Sequence, residues 1–521
     1  MIAFSRLTRF SFVRAADNVH AGLERHFRRW GALLLVFLFA CAIARDLRKP
    51  MWVDELYTTY MARQASAVEI VKATLEGCDG APPLYAIVVH LVRRGISSEA
   101  LAARLVSTLG YCGMVLGLLA FGRRRLPAVY AWIGALFAAN AAFVYASEGR
   151  PYGVVLGCAA AALCCWQAAA EGRRRALSIP LLALSLASMT AMHYYSVFFL
   201  LPLSLAELMR WRNRGKPDIA MFGAGVPALL VLALHYPLIQ AAKVFQAHYW
   251  SPAMWSQAFD FYESHRLVLT MVCMLSLVAI AMFSKIPDRP TAKWQGLTQP
   301  EWVVVCALSF MPIFVLALSI YTTHAFVDRY AIWAITGLGL LAAAVICEAG
   351  RANTAAGMTV LTALLALLIA HEATGWKPVL FEGEGVRRAL LKLPESDEPI
   401  VVGDHAVFIE LSYYLEPKLS RRLVYPLERE LDLRYLGFDT GAILTSALRH
   451  RSRLRIIPYE EVVAAYPRFV LAATHKDYLP RHLAASGYRV TPISGAAPTL
   501  FEVTAPGFQN PSRIQGLEPP L

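Results

Sequence analysis

Eleven apolar runs leave this chain few ways to fold: they fall at about 30–47, 105–122, 126–146, 152–170, 177–192, 195–209, 219–240, 266–283, 302–321, 330–348 and 356–372. A helix needs about 20 residues to cross about 30 Å of hydrocarbon. In lipid every backbone polar group must be satisfied internally, which helices do. The sequence therefore reads as an α-helical polytopic membrane protein with about 11 transmembrane helices. Composition agrees: 57% of the 521 residues are hydrophobic and 17% charged, against about 25% charged in soluble domains. A formal charge of +13 would suggest nucleic acid in a soluble chain. Here no basic run is interleaved with aromatics on a polar face, so a nucleic-acid partner is excluded.

One further run, Pro82 to Val92, is too short to cross, and loop charge supports leaving it uncrossed. Arg6, Arg9, Arg14, Arg25, Arg28 and Arg29 place the N-terminal arm (1–29) in the cytoplasm by the positive-inside rule. With 82–94 lying on or dipping into the outer face, Arg123–Arg125, Arg173–Arg175, the basic cluster from Arg210 to Lys216, the loop with Lys285, Arg289 and Lys293, and Arg351 all fall inside. A crossing at 82–94 would turn every triple-arginine loop outward. Eleven spans from an inside N-terminus then place the C-terminal region outside. Arg28-Arg29, the apolar stretch after it and Ala42-Ile43-Ala44 imitate a signal peptide. The preceding arm is long for one, so an uncleaved first span is expected.

The first outer loop, about 48–104, carries Asp54 and Glu55 beside Arg48, Lys49, Arg63, Lys72, Arg93, Arg94 and Arg104. Carboxylates at a bilayer edge are costly unless they face water, a partner or a substrate. Basic groups beside them suit a phosphate or an anionic headgroup. Asp54 and Glu55 are adjacent and so do not share a helix face; one can face a cavity while the other anchors the loop. Other outer loops add Glu148 and Arg150, which can pair with each other or offer a guanidinium fork to phosphate. They also add His193, which titrates near neutrality when unperturbed, Tyr194 and Tyr195, then His324, Asp328, Arg329 and Tyr330. The loop 241–265 adds His248, Tyr249, Trp250, Trp255, Glu263 and His265. Inner loops bring mainly arginine and lysine. This asymmetry points to a reaction centre at the outer leaflet handling an anionic, lipid-linked substrate. Carboxylate with histidine also suits a divalent metal, although no ligand-spacing motif occurs.

From about 373 the pattern alternates strand and helix. Strands are expected at 399–403, 468–472, 488–491 and 499–503, and helices at 406–415 and 479–485, which describes a small α/β domain over 373–505. The tail 506–521 is Pro/Gly-rich and is expected to be disordered. Of nine cysteines, none lies in this domain, so it is not a disulfide scaffold. Cys164-Cys165 lacks metal-site spacing and reads as packing.

Taken in order, Asp54-Glu55, Ala81-Pro82-Pro83-Leu84-Tyr85, Glu99 to Ser107 with Arg104, Glu148-Gly149-Arg150-Pro151-Tyr152, His193-Tyr194-Tyr195 and Asp328-Arg329-Tyr330 resemble the motifs of bacterial GT-C glycosyltransferases. The types concerned are the protein O-mannosyltransferases (family 39) and the aminoarabinose (lipid A) transferases. The resemblance covers about residues 30–372. It implies a polyprenyl-phosphate-linked monosaccharide as donor and transfer at the extracytoplasmic face with inversion, to a lipid, polysaccharide or protein acceptor. It also implies Asp54 as the catalytic carboxylate with Glu55 beside it, and Arg150, Arg329 and Arg104 on the donor phosphate. Glu148 would then hold Arg150, and Tyr152, Tyr85, His193, Tyr194 and His324 would support or line the sugar pocket. Rival readings are a lipid-linked sugar flippase without chemistry, an O-antigen-ligase-like transferase and a membrane scaffold.

Overall fold

The computed structural model describes residues 2–283, 294–375, 377, 379–474, 477–493 and 500–508. The basic loop residues Lys285, Arg289 and Lys293, the start of the expected last strand at Thr499, and the tail beyond 508 lie outside the described residues. The arm is a helix, Ile2–Arg25, ahead of the first apolar helix Phe27–Asp46.

Each apolar run coincides with helix. Among the described residues seven helices are long and apolar enough to cross a membrane: Phe27–Asp46, Glu99–Arg123, Tyr152–Ala170, Arg175–Met192, Arg266–Phe283, Gln299–Tyr321 and Thr354–Gly375. An eighth span forms if Ile219–Leu234 and Tyr236–Phe245, which meet at 53°, are counted as one. Pro237 sits at the start of the second piece; proline lacks the amide a continuous helix would use and clashes with the preceding turn. Two shorter apolar helices, Ala128–Ala141 and Ala334–Ala349, account for the tenth run and part of the third. The run at 195–209 becomes a 3₁₀ turn, Tyr194–Phe199, continued by Leu200–Arg214. The protein is thus a multi-pass membrane protein. The run Pro82 to Val92 forms a helix of nine residues, Leu84–Val92, about 14 Å long and too short to span.

Small residues set the closest seam of the bundle. A Cβ at Gly110 would stand 2.4 Å from the carbonyl oxygen of Gly153, and one at Gly153 would stand 2.3 Å from that of Ser107. Backbones of Glu99–Arg123 and Tyr152–Ala170 therefore touch directly, as small residues permit in membranes. This contact fixes the start of the second helix, and with it the loop 147–152, against Arg104 and Ser107.

Among the described residues the C-terminal region forms one six-stranded sheet: β1 (Ile400–Val402), β2 (Leu423–Leu427), β3 (Ile456–Pro458), β4 (Arg468–Ala472), β5 (Arg489–Pro492) and β6 (Leu500–Thr504). Their order is β3-β2-β1-β4-β6-β5, parallel from β3 to β4 and antiparallel at β6 and β5. Every residue of β1 is buried, as expected of a strand covered on both faces.

This domain is not tethered loosely. Met51, Leu56, Tyr57 and Met61 from the first loop share one apolar core with Ile400, Val402, Phe408 and Leu411. Tyr57 Oη and Thr445 Oγ1 are hydrogen-bonded at 3.0 Å. Arg451 bridges to Glu69 at 2.7 Å and also to Glu76. Among the described residues all nine cysteines are free, and Cys78, in the polar loop, is buried.

Candidate active site

The first loop turns at Pro50 and starts the helix Val53–Ala62. Its third residue, Glu55, is fully buried and anchors the loop. Glu55 accepts from Trp52 N (3.2 Å), Gly149 N (2.6 Å), Arg104 Nε (2.7 Å) and Arg104 Nη2 (2.6 Å). Arg104 also donates to the carbonyls of Asp46 (3.0 Å), Lys49 (2.6 Å) and Pro50 (2.9 Å). Buried charges persist when paired and hydrogen-bonded in this way. The expected roles of Arg104 on a phosphate and of Glu55 in chemistry are therefore corrected. Arg104 has no exposed surface and all its nitrogens are engaged, so the pair is scaffold.

Asp54, one residue earlier, points the other way. Its Oδ2 accepts from Arg329 Nη2 at 3.4 Å, and the two side chains are 27% and 21% exposed. Arg329 Nε donates to Tyr152 Oη at 3.0 Å, and its guanidinium lies 5.8 Å from the ring centres of Trp52 and Tyr152. Arg329 is set by the 3₁₀ turn Asp328–Ala331, whose first carboxylate accepts the Arg329 amide at 2.7 Å. Despite burial, the surrounding Tyr152, Asp54 and Glu148 keep its guanidinium protonated, well above its ordinary value.

Arg150 reaches the same helix from the far side. It donates to Asp79 Oδ2 (2.9 Å), Thr58 Oγ1 (3.0 Å) and the Asp54 carbonyl (3.5 Å), while its Nε is buried without a partner. Asp79, not Glu148, is its counter-ion, which corrects the sequence expectation. Glu148 and Arg150 are two apart, but the turn that bonds Arg150 N to the Glu148 carbonyl at 2.7 Å is no helix. Glu148 instead faces Arg329, Lys49 and Asp54. Burial pushes its carboxyl up to about 7, against the pull of Arg329 and with the push of Glu55.

The tyrosines and histidines divide. Burial, then Arg150 and Arg329, pull His193 down to about 3. It is a neutral ring at pH 7, not the group titrating near neutrality that its position suggested. It packs among Tyr152, Tyr195 and Tyr330 at 5.1–5.9 Å. Tyr330 stacks on Tyr195 at 4.9 Å and bonds Tyr249 Oη at 2.6 Å, so the loops after three spans form one aromatic wall. Tyr85 is buried and donates to the Ala103 carbonyl at 2.7 Å. It lines a water-sized cavity with Thr58, Asp79 and Arg150, too small for a sugar ring. The Tyr194 hydroxyl is buried without a partner, and its ring meets His235. His324 acts through its backbone: at φ 54° it closes a turn and its carbonyl accepts Ala253 N at 3.0 Å. Its side chain is exposed, which removes it from the pocket. Among the described residues no group of three or more His, Cys, Asp or Glu is arranged to hold a metal.

Three residues of this site were not singled out from sequence. Asp79 and Trp52 belong to the first loop; Asp79 is the acid just ahead of Ala81-Pro82-Pro83, a signal available in hindsight. His405, after β1, comes from the C-terminal domain. It is near enough to Asp54 for that carboxylate to oppose the lowering that burial imposes on the histidine.

These loops bring the Asp54–Arg329 pair to the end of a helical bundle, under a docked α/β domain, and this multi-pass membrane fold is the ArnT-like one expected from the motifs. The particular likeness is to ArnT from Cupriavidus metallidurans. The structure bound to undecaprenyl phosphate gives a TM-score of 0.54 at 12% identity, over 91% of this chain and 97% of that one. The apo structure gives 0.53 at 12% identity, over 91% and 98%. The sequence matches no family model and no curated protein.

Proposed function

We propose that the protein is a membrane glycosyltransferase that moves a monosaccharide from a polyprenyl-phosphate donor to an acceptor on the extracytoplasmic side. The observation that carries this reading is the partly exposed Asp54–Arg329 pair, and the likeness to a structure holding undecaprenyl phosphate supports the donor class. A sugar handed over from lipid phosphate leaves growing charge on that phosphate. A preorganised guanidinium stabilises such charge by about 3–4 kcal/mol per donor.

In this reading Arg329 receives the phosphate and releases Asp54. Asp54 takes the proton of an acceptor hydroxyl as its oxygen bonds the anomeric carbon. The bond from that carbon to the phosphate oxygen breaks, and its electron pair stays on the lipid phosphate, with inversion. For an acceptor that is already an anion Asp54 positions rather than deprotonates. Arg150, held by Asp79, is the second cation, and the wall of Tyr152, His193 and Tyr330 flanks the sugar. The acceptor is a lipid, glycan or protein exposed to the bacterial cell exterior or periplasm, and surrounding membrane lipids contact the spans.

Binding of undecaprenyl phosphate to the purified protein tests the donor half. Arg329→Ala should weaken it about 10- to 100-fold, the size of a hydrogen bond to a charged group, and Asp54→Asn should not weaken it. Unchanged binding in Arg329→Ala removes that residue from the phosphate site. A carrier without chemistry is the second reading, favoured by the 53° break at residue 235, since broken helices mark transporter sites.

A further inference from the structure

The first outer loop is basic against the trend of the other outer loops, and the active site accounts for only part of that charge. Arg104 is taken up by Glu55, and Lys72 bonds Glu69 at 2.7 Å. Arg63, Arg93 and Arg94 instead gather at the C-terminal end of Val53–Ala62, the helix whose first turn carries Asp54.

Among the described residues one carboxylate serves this group. Glu99 accepts from Arg63 Nε at 2.9 Å and from Nη2 at 2.6 Å, and lies 3.4 Å from Arg93 Nη2. Arg93 Nη1 donates to the Ala62 carbonyl at 2.8 Å. Arg94 bonds no carboxylate among the described residues; its Nη2 stands 3.1 Å from His90 Nε2. His90 is buried, and its Nδ1 lies 3.0 Å from the Ala62 carbonyl. A carbonyl only accepts, so Nδ1 carries the hydrogen and Nε2 accepts from Arg94. A buried ring thus holds an exposed guanidinium in place, and three guanidiniums share one acid.

The short helix Leu84–Val92 sets this cluster at a lipid edge. Leu84 and Val88 pack on the core of the bundle. Leu91 continues the same stripe, at i, i+4 and i+7, yet is 53% exposed. The stripe has run past the bundle there, where the apolar medium left to a membrane protein is lipid. Arg94 N donates to the Leu91 carbonyl at 3.2 Å, so its guanidinium follows one turn beyond the apolar stripe. Arginines at such helix ends keep the stem on apolar surface and the charged head at the interface.

We infer that Arg94, with Arg93 and Arg63, binds the headgroup phosphate of an anionic phospholipid in the leaflet beside the active site. The phosphate supplies the acceptor that Arg94 lacks, and the acyl chain lies along Leu91. A zwitterionic headgroup brings its own cation, which the arginines disfavour. Through the Ala62 carbonyl, shared by His90 and Arg93, the bound lipid ties the far end of the Asp54 helix to the bilayer. The site depends on membrane placement and not on the chemistry at Asp54.

The test is photo-crosslinking from Leu91→p-benzoylphenylalanine in the full-length protein, reconstituted in vesicles of equal parts phosphatidylglycerol and phosphatidylcholine with matched chains. The expected result is capture of phosphatidylglycerol over phosphatidylcholine by about tenfold or more. Arg94→Gln leaves no buried charge behind and should lower that preference about fivefold, the size of one basic group at a charged lipid surface. Equal capture of both lipids, or a preference that survives Arg94→Gln, overturns the site. The preference should persist in phosphate and in chloride buffer at equal ionic strength; loss in phosphate alone assigns the cluster to free phosphate and overturns the lipid headgroup. Arg329→Ala, which tests the donor site, should leave the preference unchanged. A fall there as large as in Arg94→Gln overturns a separate lipid site, whereas weakened undecaprenyl phosphate binding with the preference intact bears on the donor site alone.

Discussion

Removing the carboxylate of Glu55 would leave the Arg104 guanidinium charged, fully buried and short of two bonds. Breaking such a pair from one side costs about 3–5 kcal/mol. Glu55→Ala should therefore lower the melting temperature sharply, and an apolar pair at 55 and 104 should recover part of the loss. Little change in thermal unfolding would show that the loop is anchored elsewhere. Glu148 makes a pH-dependent case. Its folded carboxyl, at about 7, lies above the unfolded value of about 4.3, so the folded state holds more protons between the two. Stability then falls as pH rises from about 4 to about 7 and levels off beyond. Glu148→Gln should flatten that limb in unfolding curves measured across this range; an unaltered limb would assign the proton elsewhere. Asp54 and Glu55 looked alike in the sequence, and the prediction that they face opposite ways was available from their adjacency. Their partners were not: Arg329 and Gly149 are brought in from other loops, and only three-dimensional proximity reveals which arginine each acid meets.

Among elements, the glycine seam between Glu99–Arg123 and Tyr152–Ala170 carries the site. A side chain at Gly153 would meet backbone atoms of Ser107, and backbone cannot give way as a flexible side chain can. Gly153→Val should part the helices, cost about 3 kcal/mol or more and displace Arg150 and Tyr152 from the helix bearing Asp54. Unfolding in detergent and transfer activity should fall together; preserved activity would show that the loop 147–152 is positioned independently. Helices were legible because apolar length alone demands them. Strands β1 and β4 were legible as short β-branched or apolar runs, and the helix 479–485 matches its expected bounds. By contrast β2 and β3 each contain a proline, Pro426 and Pro458, which argues against a strand in isolation. Without them the parallel order could not be read from sequence.

At the scale of the whole molecule, the C-terminal domain and the first outer loop share one apolar core and are tied by Arg451 to Glu69 and Glu76. A chain ending near 373 would expose Leu56, Met61 and their neighbours, so it should accumulate poorly in membranes compared with the full chain. The motif order named the fold, yet it could not reveal that the domain over the site places His405 near enough to Asp54 to feel its charge. Glycosyl transfer at Asp54 would leave a product in the cell envelope. The most direct measurement is mass spectrometry of lipid, polysaccharide and protein glycans from a deletion strain complemented with the wild type or with Asp54→Asn. The account predicts that one glycan modification disappears on deletion, returns with the wild type and stays absent with an Asp54→Asn protein that is folded and membrane-inserted. Full restoration by Asp54→Asn would contradict it.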